Sequence, residues 1–281
     1  MIKKLKKQMQ QWRNKNIFNF RSIKTDSIFF PYKGGEENFI ITNDSLESDL
    51  CDKGLPIPPQ NLWIGYGKTK EKYLDSGKKD VETMLSLLAK TDFSITSQKR
   101  VLDFGCGAGR MMRNIDQAGE VWGTDISADH IYWCKQNLNP PLRFVTSTLL
   151  PHLPFEDRYF DLIYCGSVFT HMDDLTEAWL LELRRILVQQ GRIFLTIQDH
   201  HTMQLLETDY KESFLARKMR QNEFYMKANR AFKMMSIDRN TYSHVFYDCN
   251  YFCKILNQMF EVLSVVPEAY GYQTGIIVTK N

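Results

Sequence analysis

The sequence lacks the features that would place the chain in a membrane or staple it with disulfide bonds. Its 281 residues contain no apolar run of about 18 residues, so we expect no transmembrane helix. No apolar segment near the N-terminus has the form of a signal peptide. The six cysteines are scattered without a C-x-x-C pair, which argues against a disulfide framework and a structural zinc site and favours reduced thiols. We therefore expect a cytoplasmic protein with no bound metal.

Acidic residues are absent from residues 1–24, which hold eight lysines and arginines. Because the whole chain has a formal net charge of +3, the rest of it is net negative by about five charges. A nucleic-acid-binding domain would not confine its positive charge to one short arm, so we expect no nucleic-acid partner. Ile2, Leu5, Met9 and Trp12 lie at helical spacing in this arm. That pattern fits a weak contact with an anionic membrane surface or, alternatively, a solvated or docked terminal helix.

Glycine is concentrated in the stretch Val101–Arg110, VLDFGCGAGR, which predicts a strand, a loop and a helix over 110–118. A dinucleotide site would have G-x-G-x-x-G, and counting from Gly105 its third glycine would fall at Arg110. The glycines instead follow G-x-G-x-G, with Asp103 two residues ahead of them. Such a loop lets the backbone approach a ligand closely, and the helix behind it would offer N–H groups to an anionic end.

Strand and helix patterns alternate along the rest of the chain. Strands are predicted at Glu120–Asp125, Leu142–Val145, Phe160–Cys165 and Arg192–Ile197. Helices are predicted at Val81–Lys90, 128–138, 248–259 and after Asp173 or Asp174, where Glu177 is placed for a capping box. Gly191 is the predicted turn into the fifth strand. Parallel strands joined by helices imply a doubly wound sheet, which Glu261–Val266 and Gly275–Thr279 close as an antiparallel pair. Asp125 ends the second strand, where an acid can accept hydrogen bonds from ribose hydroxyls.

Two segments interrupt this alternation. Residues 199–247 are mostly helical in pattern and rich in methionine and aromatic residues. We expect a lid or substrate cap there, with a helical hairpin or an oligomer contact as the alternative. The segment LPIPPQNLW, residues 55–63, is kept extended by its prolines. It could cross the mouth of an active site as a strap, or it could be a linker.

The order of the motifs resembles the core of the class I S-adenosylmethionine-dependent methyltransferases. The resemblance rests on VLDFGCGAGR, VWGTDIS, PFEDRYFDLIYCGSVFTHM and LRRILVQQGRIFLTI, and it spans about residues 80–200 with the closing strands. It implies an α/β fold with a Rossmann-like, doubly wound seven-stranded sheet and a reversed last strand. We expect an N-terminal extension and strap over 1–79 and the methyltransferase domain over 80–281, with a helical insertion at about 199–247. The strap and the phrase FTHM also resemble a bacterial subgroup found with sugar and polysaccharide enzymes.

The resemblance implies S-adenosyl-L-methionine as the cofactor, held at the ends of the first strands. Asp103, Gly105 and Gly107 would face its methionine part, Asp125 its ribose, and Ile126 and Thr148 its adenine, with Cys106, Gly109, Arg110 and Cys165 completing the set. The family often has an acid that bonds the adenine amino group, and this chain has Ser147 and Thr148 in that loop instead. The adenine contact is therefore the part of the site that the resemblance defines least.

Methyl transfer depends on alignment of the acceptor, and an oxygen or nitrogen acceptor can also need a base. His171, just after the fourth strand, is the predicted catalytic base, and a capping or packing role is its alternative. Asp199, His200, His201 and His244 could contribute to a metal site, but their spacing fixes none. The fourth strand is not followed by N-P-P-[YF], which would indicate amino methylation of bases or proteins.

We predict a methyltransferase whose acceptor is a small molecule, with a hydroxyl of a sugar or polysaccharide precursor as the expected target. One alternative is a partner subunit that binds S-adenosylmethionine without catalysis, and another is a methyltransferase that acts on a lipid at the membrane surface. A Rossmann oxidoreductase ranks third, because Arg110 stands where its glycine should be.

Overall fold

The computed structural model describes residues 51–222, 225, 232–238 and 243–280. The basic arm of residues 1–24 lies outside this part, so the prediction of a terminal helix stays open. None of the helices within the described residues is long and apolar enough to cross a bilayer.

A seven-stranded mixed sheet forms the centre of the structure. The strands are β1 (Cys51–Asp52), β2 (Leu55–Pro56), β3 (Arg100–Phe104), β4 (Glu120–Asp125), β5 (Arg143–Thr146), β6 (Phe160–Cys165), β7 (Leu187–Ile197), β8 (Met234–Ile237), β9 (His244–Tyr247), β10 (Glu261–Tyr270) and β11 (Gln273–Thr279). The large sheet has the order β10-β11-β7-β6-β3-β4-β5. Strands β3 to β7 are parallel, and β11 is antiparallel to both of its neighbours. The predicted doubly wound sheet with a reversed last strand is confirmed.

Helices cover both faces of this sheet, which is why most of β6 and most of the second half of β7, from Ile193 to Ile197, are apolar and buried. The α-helices that lie wholly within the described residues are α1 (Lys70–Ala89), α2 (Ala128–Asn137), α3 (Thr176–Ile186), α4 (His200–Glu207), α5 (Phe214–Gln221) and α6 (Cys249–Leu256). One hydrophobic core includes residues of α1 and α2, and a second includes residues of α3 and α6. The alternation of β3 divides its side chains, since Val101 belongs to the first core and Leu102 to the second.

The predicted helix over 110–118 is wrong, because this stretch forms only a 3-10 turn at Met112–Asn114. Helix α1 packs against the turn so closely that a Cβ on Gly77 would lie 2.4 Å from the Arg110 carbonyl oxygen. That carbonyl accepts a hydrogen bond from the Asn114 side chain, and the turn ends at Ile115. The glycine loop therefore has no α-helix N-terminus behind it, and the anion-binding role predicted for such a helix does not apply.

Several predicted boundaries also shift. Helix α1 begins at Lys70, where Thr69 provides the cap, and not at Val81. Strand β7 begins at Leu187, so Gly191 lies inside it and is not the turn before it. Helix α3 has Leu175 in the left-handed region at its N-cap.

Asp173 and Asp174 do not cap α3, and the predicted capping box is absent at its start. Asp173 instead accepts hydrogen bonds from the hydroxyls of Ser236 and Ser243. This carboxylate therefore ties the loop after β6 to the segment around β8 and β9.

The insertion at 199–247 is only partly helical. Helices α4 and α5 are followed by an antiparallel pair, β8 and β9, with a small core of its own. Strand β9 lies against the carboxyl end of the main sheet, because Val245 N donates to Thr170 O and Tyr247 N donates to Gln198 O. The insertion thus sits beside the ends of β6 and β7.

Candidate functional site

The glycine loop bends sharply between β3 and the 3-10 turn. Gly105, Gly107 and Gly109 have φ values of +88°, +51° and +74°, a region that side-chain-bearing residues rarely adopt. The N–H groups of Gly105 and Cys106 donate to Thr124 O at 2.7 and 3.0 Å. These bonds hold the loop against the end of β4.

Asp125 completes this junction with both oxygens of its carboxylate. Oδ2 accepts the Gly107 N–H at 2.8 Å, and Oδ1 accepts the Ser127 N–H at 2.8 Å. A carboxylate oxygen can accept more than one hydrogen bond, so both oxygens retain capacity for a ligand. The side chain is thereby fixed at the carboxyl end of β4, beside the glycine loop, as the sequence predicted.

Asp103 lies beneath the glycine loop and is 4% exposed. Burial raises the pKa of this carboxyl to about 8, and the neighbouring Tyr164 hydroxyl and Arg110 partly oppose the rise. A buried carboxyl of this kind gains most from a cationic partner, because an adjacent positive charge stabilises its ionised form.

Arg110, the residue in the place of a third glycine, is buried and held from several sides. Its guanidinium forms an ion pair with Asp80 at 2.7 Å and donates to Ser76 Oγ at 3.0 Å. It also donates to the Tyr270 hydroxyl and lies 3.9 Å from the centre of the Tyr66 ring. Arg110 thus joins α1, β10 and the segment before α1 at one end of the site.

Residues 57–67, which we call the strap, run across the glycine loop. The Trp63 ring stacks on Tyr73 at 5.1 Å and donates from Nε1 to Pro58 O at 2.8 Å. Ile64 takes a φ of +49°, which is strained for a β-branched residue. Its Cδ1 lies 3.3 Å from where a Cβ on Gly107 would be. Leu62 and Trp63, from the predicted segment 55–63, line the cleft described next together with Ile64 and Tyr66, and a strap role for this segment stays a prediction.

The strap, the glycine loop and β10 border a small cleft that opens to solvent. Its walls are Leu62, Trp63, Ile64, Tyr66, Tyr73, Asp103, Gly105, Cys106, Gly107, Ala108, Arg110, Met111, Gly166 and Tyr270. Five of the residues predicted to bind the cofactor are among them. The cleft is largely aromatic and aliphatic, with one acidic and one basic side chain.

The other predicted cofactor residues are not among those that line the cleft: Gly109, Asp125, Ile126, Thr148 and Cys165. Cys165 is fully buried in the core beneath α3 and α6. Gly109 packs towards Leu138, and Thr148 bonds the backbone of Leu150 in an exposed turn. Ile126 is 44% exposed directly after Asp125, where an apolar ring could cover it. The structure thus groups Asp125 with the glycine loop and leaves Cys165 in the core.

His171 follows β6 but contacts the insertion. Its Nδ1 is 2.7 Å from Ser243 O, and because a carbonyl only accepts, Nδ1 carries the proton and Nε2 the lone pair. Burial lowers the pKa of His171, and the bond to Ser243 opposes that change. The ring lies 5.4 Å from His244, whose pKa burial and His171 lower to about 4. His171 is not one of the residues lining the cleft.

The open alternative of a metal site gains no support. Within the described ranges, no group of three or more histidine, cysteine or acidic side chains is arranged to hold a metal ion. Asp199 caps α4 and accepts from the Thr202 N–H and the Thr274 hydroxyl. His200 stacks on Phe232, and His201 contacts Glu268.

Sequence reasoning missed the residues that hold Arg110. Ser76 and Asp80 are four apart on α1 and therefore share one face of that helix. Tyr270 stands 160 positions away in the chain. The helix spacing of the first two was visible in the sequence, whereas no sequence signal pairs Tyr270 with Arg110.

Comparison with known proteins agrees with this geometry. Residues 102–195 match a family model described as a methyltransferase domain. A curated relative, 2-phytyl-1,4-naphtoquinone methyltransferase of Trichormus variabilis, is 35% identical over 109 residues, which are 36% of this chain and 46% of that protein. The chain thus spans about half the length of the curated relatives it matches.

Two solved structures share the fold. An S-adenosylmethionine-dependent methyltransferase of Clostridium acetobutylicum superposes with a TM-score of 0.52 at 14% identity, covering 73% of this chain and 92% of its own. A protein of Pyrococcus horikoshii gives a TM-score of 0.51 at 19% identity, covering 72% of this chain and 89% of its own. Residues 102–195 are therefore similar to a methyltransferase domain, and the strand order of the whole sheet is the fold that these two solved structures share.

Proposed function

We propose that this chain is an S-adenosylmethionine-dependent methyltransferase that acts on a small-molecule acceptor. The observation that carries the proposal is the Asp125 carboxylate, fixed by the N–H groups of Gly107 and Ser127 beside the glycine loop. A carboxylate held at this strand end can accept hydrogen bonds from both hydroxyls of a ribose. When bound, S-adenosylmethionine supplies a methyl group on a sulfonium sulfur, and the acceptor atom takes that methyl as the carbon–sulfur bond breaks.

Residues of the cleft and those beside Asp125 suit the other parts of this cofactor. The buried Asp103 carboxyl would gain an ammonium partner from the methionine part, and Arg110 at the same end offers a positive charge to its carboxylate. Ile126, exposed next to Asp125, offers an apolar surface to an adenine ring. Thr148 is bound into a turn with Leu150, so we assign it no more than an edge of the adenine site.

The acceptor would approach from the β6 side, because β4 provides the ribose site on the other side of β3. The strap narrows the entrance there, which favours a small molecule over a folded macromolecule. The sequence resemblance favours a hydroxyl of a sugar or polysaccharide precursor, and two of the curated relatives are named as quinone methyltransferases. Both classes present a flat or ring-shaped face that aromatic walls such as Tyr66 and Tyr270 can cover.

His171 is our proposed base for an acceptor that must lose a proton. Its protonated Nδ1 faces Ser243 O, so its lone pair is on Nε2. A lowered pKa keeps the ring neutral at pH 7, as a base requires. Its position after β6 is on the side from which the acceptor would enter.

The first test measures cofactor binding and then methyl transfer. Titration calorimetry with S-adenosylhomocysteine should show binding that Asp125→Ala weakens by about ten- to a hundredfold, as expected for lost hydrogen bonds to an anionic group. Asp116→Ala, an exposed acid outside the cleft, is the matched control and should bind like the wild type.

Transfer is then followed with S-adenosylmethionine tritiated in the methyl group and a fractionated extract of the source cells. Label in a saccharide or quinone fraction, lost in Asp125→Ala, would support the proposal and separate the two acceptor classes. Binding without transfer into any fraction would favour a non-catalytic partner subunit. Label in lipid would instead favour the membrane-surface alternative.

A further inference from the structure

A cluster of four polar side chains lies at the carboxyl ends of β6 and β7, next to the cleft. We call Ser167, Thr170, Thr196 and Gln273 the hydroxyl–amide cluster. The Ser167 N–H donates to Thr196 Oγ1 at 2.8 Å, and Thr196 Oγ1 donates to Gln273 Oε1 at 2.6 Å. Gln273 Nε2 donates to Ser167 Oγ at 2.9 Å, and Ser167 Oγ lies 3.1 Å from Thr170 Oγ1. The proposed function does not use any of the four.

The cluster is costly to bury and is placed where the chain is strained. Thr170 and Thr196 are fully buried, and Gln273 is nearly so, while Ser167 is half-buried. Apolar residues would fill the same space without polar atoms to satisfy. Ser167 also has a φ of +60°, in the left-handed region that favours glycine. Strain of this type persists where the surroundings over-determine it, which is common at functional sites.

The hydrogen atoms of the cluster can be assigned from its chemistry. Gln273 Oε1 can only accept, so the Thr196 hydroxyl hydrogen points to it. The Gln273 amide is then oriented with Nε2 towards Ser167, and Ser167 Oγ accepts there. The Thr170 hydroxyl is fully buried, and within the described residues it forms a hydrogen bond with Ser167 Oγ.

In the hydrogen bond between Ser167 and Thr170, either hydroxyl could be the donor. If Thr170 donates, both lone pairs of Ser167 Oγ are used and the Ser167 hydrogen points away from the cluster. If Ser167 donates, the Thr170 hydrogen is left in a fully buried place, which costs stability. The first direction is therefore favoured, and it makes Ser167 a hydrogen-bond donor towards its exposed side.

Ser167 follows the end of β6, which is the side of the sheet from which the proposed acceptor would approach. Gly166, the preceding residue, lines the cleft together with Tyr270. The Tyr270 ring lies 3.1 Å from where a Cβ on Gly166 would be, so the two are in contact. Tyr270 and Gln273 come from the same β10–β11 turn, which therefore forms the cleft wall with one residue and orients Ser167 with the other.

We propose that Ser167 positions the methyl acceptor by donating its hydroxyl hydrogen to an acceptor oxygen. Because both lone pairs of Ser167 Oγ are committed, Ser167 can only donate, and an oxygen without a hydrogen of its own matches it best: a carbonyl or carboxylate oxygen next to the hydroxyl that takes the methyl group. The substrate class is a hydroxy-carbonyl or hydroxy-carboxylate compound, which includes hydroxyquinones and uronic acids. Ser167 is a positioning residue, because its lone pairs are committed to Gln273 and Thr170. The inference rests on the proposed function.

The test uses two variants with opposite chemistry at the same backbone position. Ser167→Gly removes the donor and relieves the left-handed strain, whereas Ser167→Asn tolerates that conformation and retains an N–H donor. Each protein is saturated with S-adenosylhomocysteine and titrated with 2-hydroxy-1,4-naphthoquinone or with 1-naphthol. The first probe has a carbonyl beside its hydroxyl, and the second has none. Thermal unfolding reports whether each variant is folded.

The wild type should bind the hydroxyquinone about tenfold more tightly than 1-naphthol, and Ser167→Gly should lose that preference. Ser167→Gly should remain folded, because relief of the left-handed strain offsets part of the loss of the hydrogen bonds to Gln273 and Thr170. Ser167→Asn should restore at least part of the preference. Equal affinity of the wild type for the two probes, or an unchanged preference in Ser167→Gly, would overturn the assignment. Binding of S-adenosylhomocysteine should be the same in all three proteins. Its absence from the wild type would instead refute the proposed function.

Discussion

The hydroxyl groups of Tyr270 and Tyr66 lie 3.0 Å apart and join the end of β10 to the strap. Arg110 strengthens this junction, because its guanidinium lies over the Tyr66 ring. At the other end of the strap, His130 Nε2 lies 3.2 Å from Leu62 O. Two small groups of polar contacts thus hold the strap over the glycine loop. A nucleoside that enters along this loop must pass beneath the strap.

Weakening the Tyr66 contact should therefore speed cofactor exchange. Tyr66→Phe keeps the ring on Arg110 and removes only the hydroxyl, which is worth about one neutral hydrogen bond. We expect S-adenosylhomocysteine to dissociate about three- to tenfold faster, with a smaller change in association. Stopped-flow tryptophan fluorescence can follow release, since Trp63 lies in the strap. Tyr210→Phe, in the exposed part of the insertion, is the control, and an equal rate in both variants would show that the junction does not limit exchange.

Cofactor binding should be coupled to the protonation of Asp103. Burial raises the pKa of Asp103 to about 8, so this carboxyl is mostly protonated at pH 7 without a cationic partner. A bound ammonium group favours the ionised form, and the proton is then released. We expect the affinity for S-adenosylhomocysteine to rise by up to about tenfold per pH unit between about pH 6 and 8, and to level off above pH 8.

Calorimetry at pH 7 in buffers of different ionisation enthalpy measures this proton directly. Asp103→Asn should abolish both the proton release and the pH dependence. The raised pKa also makes the free energy of unfolding depend on pH, because the folded-state pKa of Asp103 lies above the ordinary value of 3.8. The folded protein then binds the extra proton between about pH 4 and 8, and the contribution of Asp103 to stability is lost as the pH rises through that window. A pH-independent affinity in the wild type would contradict the assignment.

The sheet and its ligand loop were predictable because their signals are local. Strands Glu120–Asp125 and Phe160–Cys165 match their predicted bounds, since each is an apolar run ended by a turn. The glycine pattern with Asp103 and Asp125 likewise depends on neighbouring positions. The expected helix over 110–118 failed because the contact that replaces it, the approach of Gly77 to the Arg110 carbonyl, comes from another helix.

The remainder of the site could not be predicted because it depends on distant pairs. Tyr66 and Tyr270 are 204 positions apart, and Ser167 and Gln273 are 106 apart. Hydrogen bonds between such residues leave no periodicity in the sequence. The β8–β9 pair of the insertion was missed for a related reason, because β9 is held by backbone hydrogen bonds to Thr170 and Gln198, which are distant from it in the sequence.

His171 should control the pH dependence of turnover if it acts as the base. Burial places its pKa below the ordinary value of 6.5, so the reactive neutral form predominates above that pH. At saturating S-adenosylmethionine, we expect kcat/KM for the acceptor to fall on acidification through this lowered pKa and to be flat from about pH 7 upward. His171→Ala should reduce kcat about a hundredfold or more and remove that inflection, with cofactor affinity unchanged. Full turnover of His171→Ala at every pH would show that the histidine only packs against the insertion.

The ion pair between Arg110 and Asp80 should dominate the stability of this end of the domain. Both groups are largely buried, with side chains 6% and 17% exposed, so removing one leaves the other charge without its partner. We expect Arg110→Ala to lower the free energy of unfolding by about 3–5 kcal/mol in urea titrations. The exposed pair of Lys78 and Glu82 on the same helix is the control, and Glu82→Ala should change stability by less than about 0.5 kcal/mol. Replacing both partners, as Arg110→Met with Asp80→Leu, should recover part of the loss, because no buried charge then remains. A double variant as unstable as Arg110→Ala would mean that the contacts with Tyr66 and Tyr270, rather than the charge pair, carry the stabilisation.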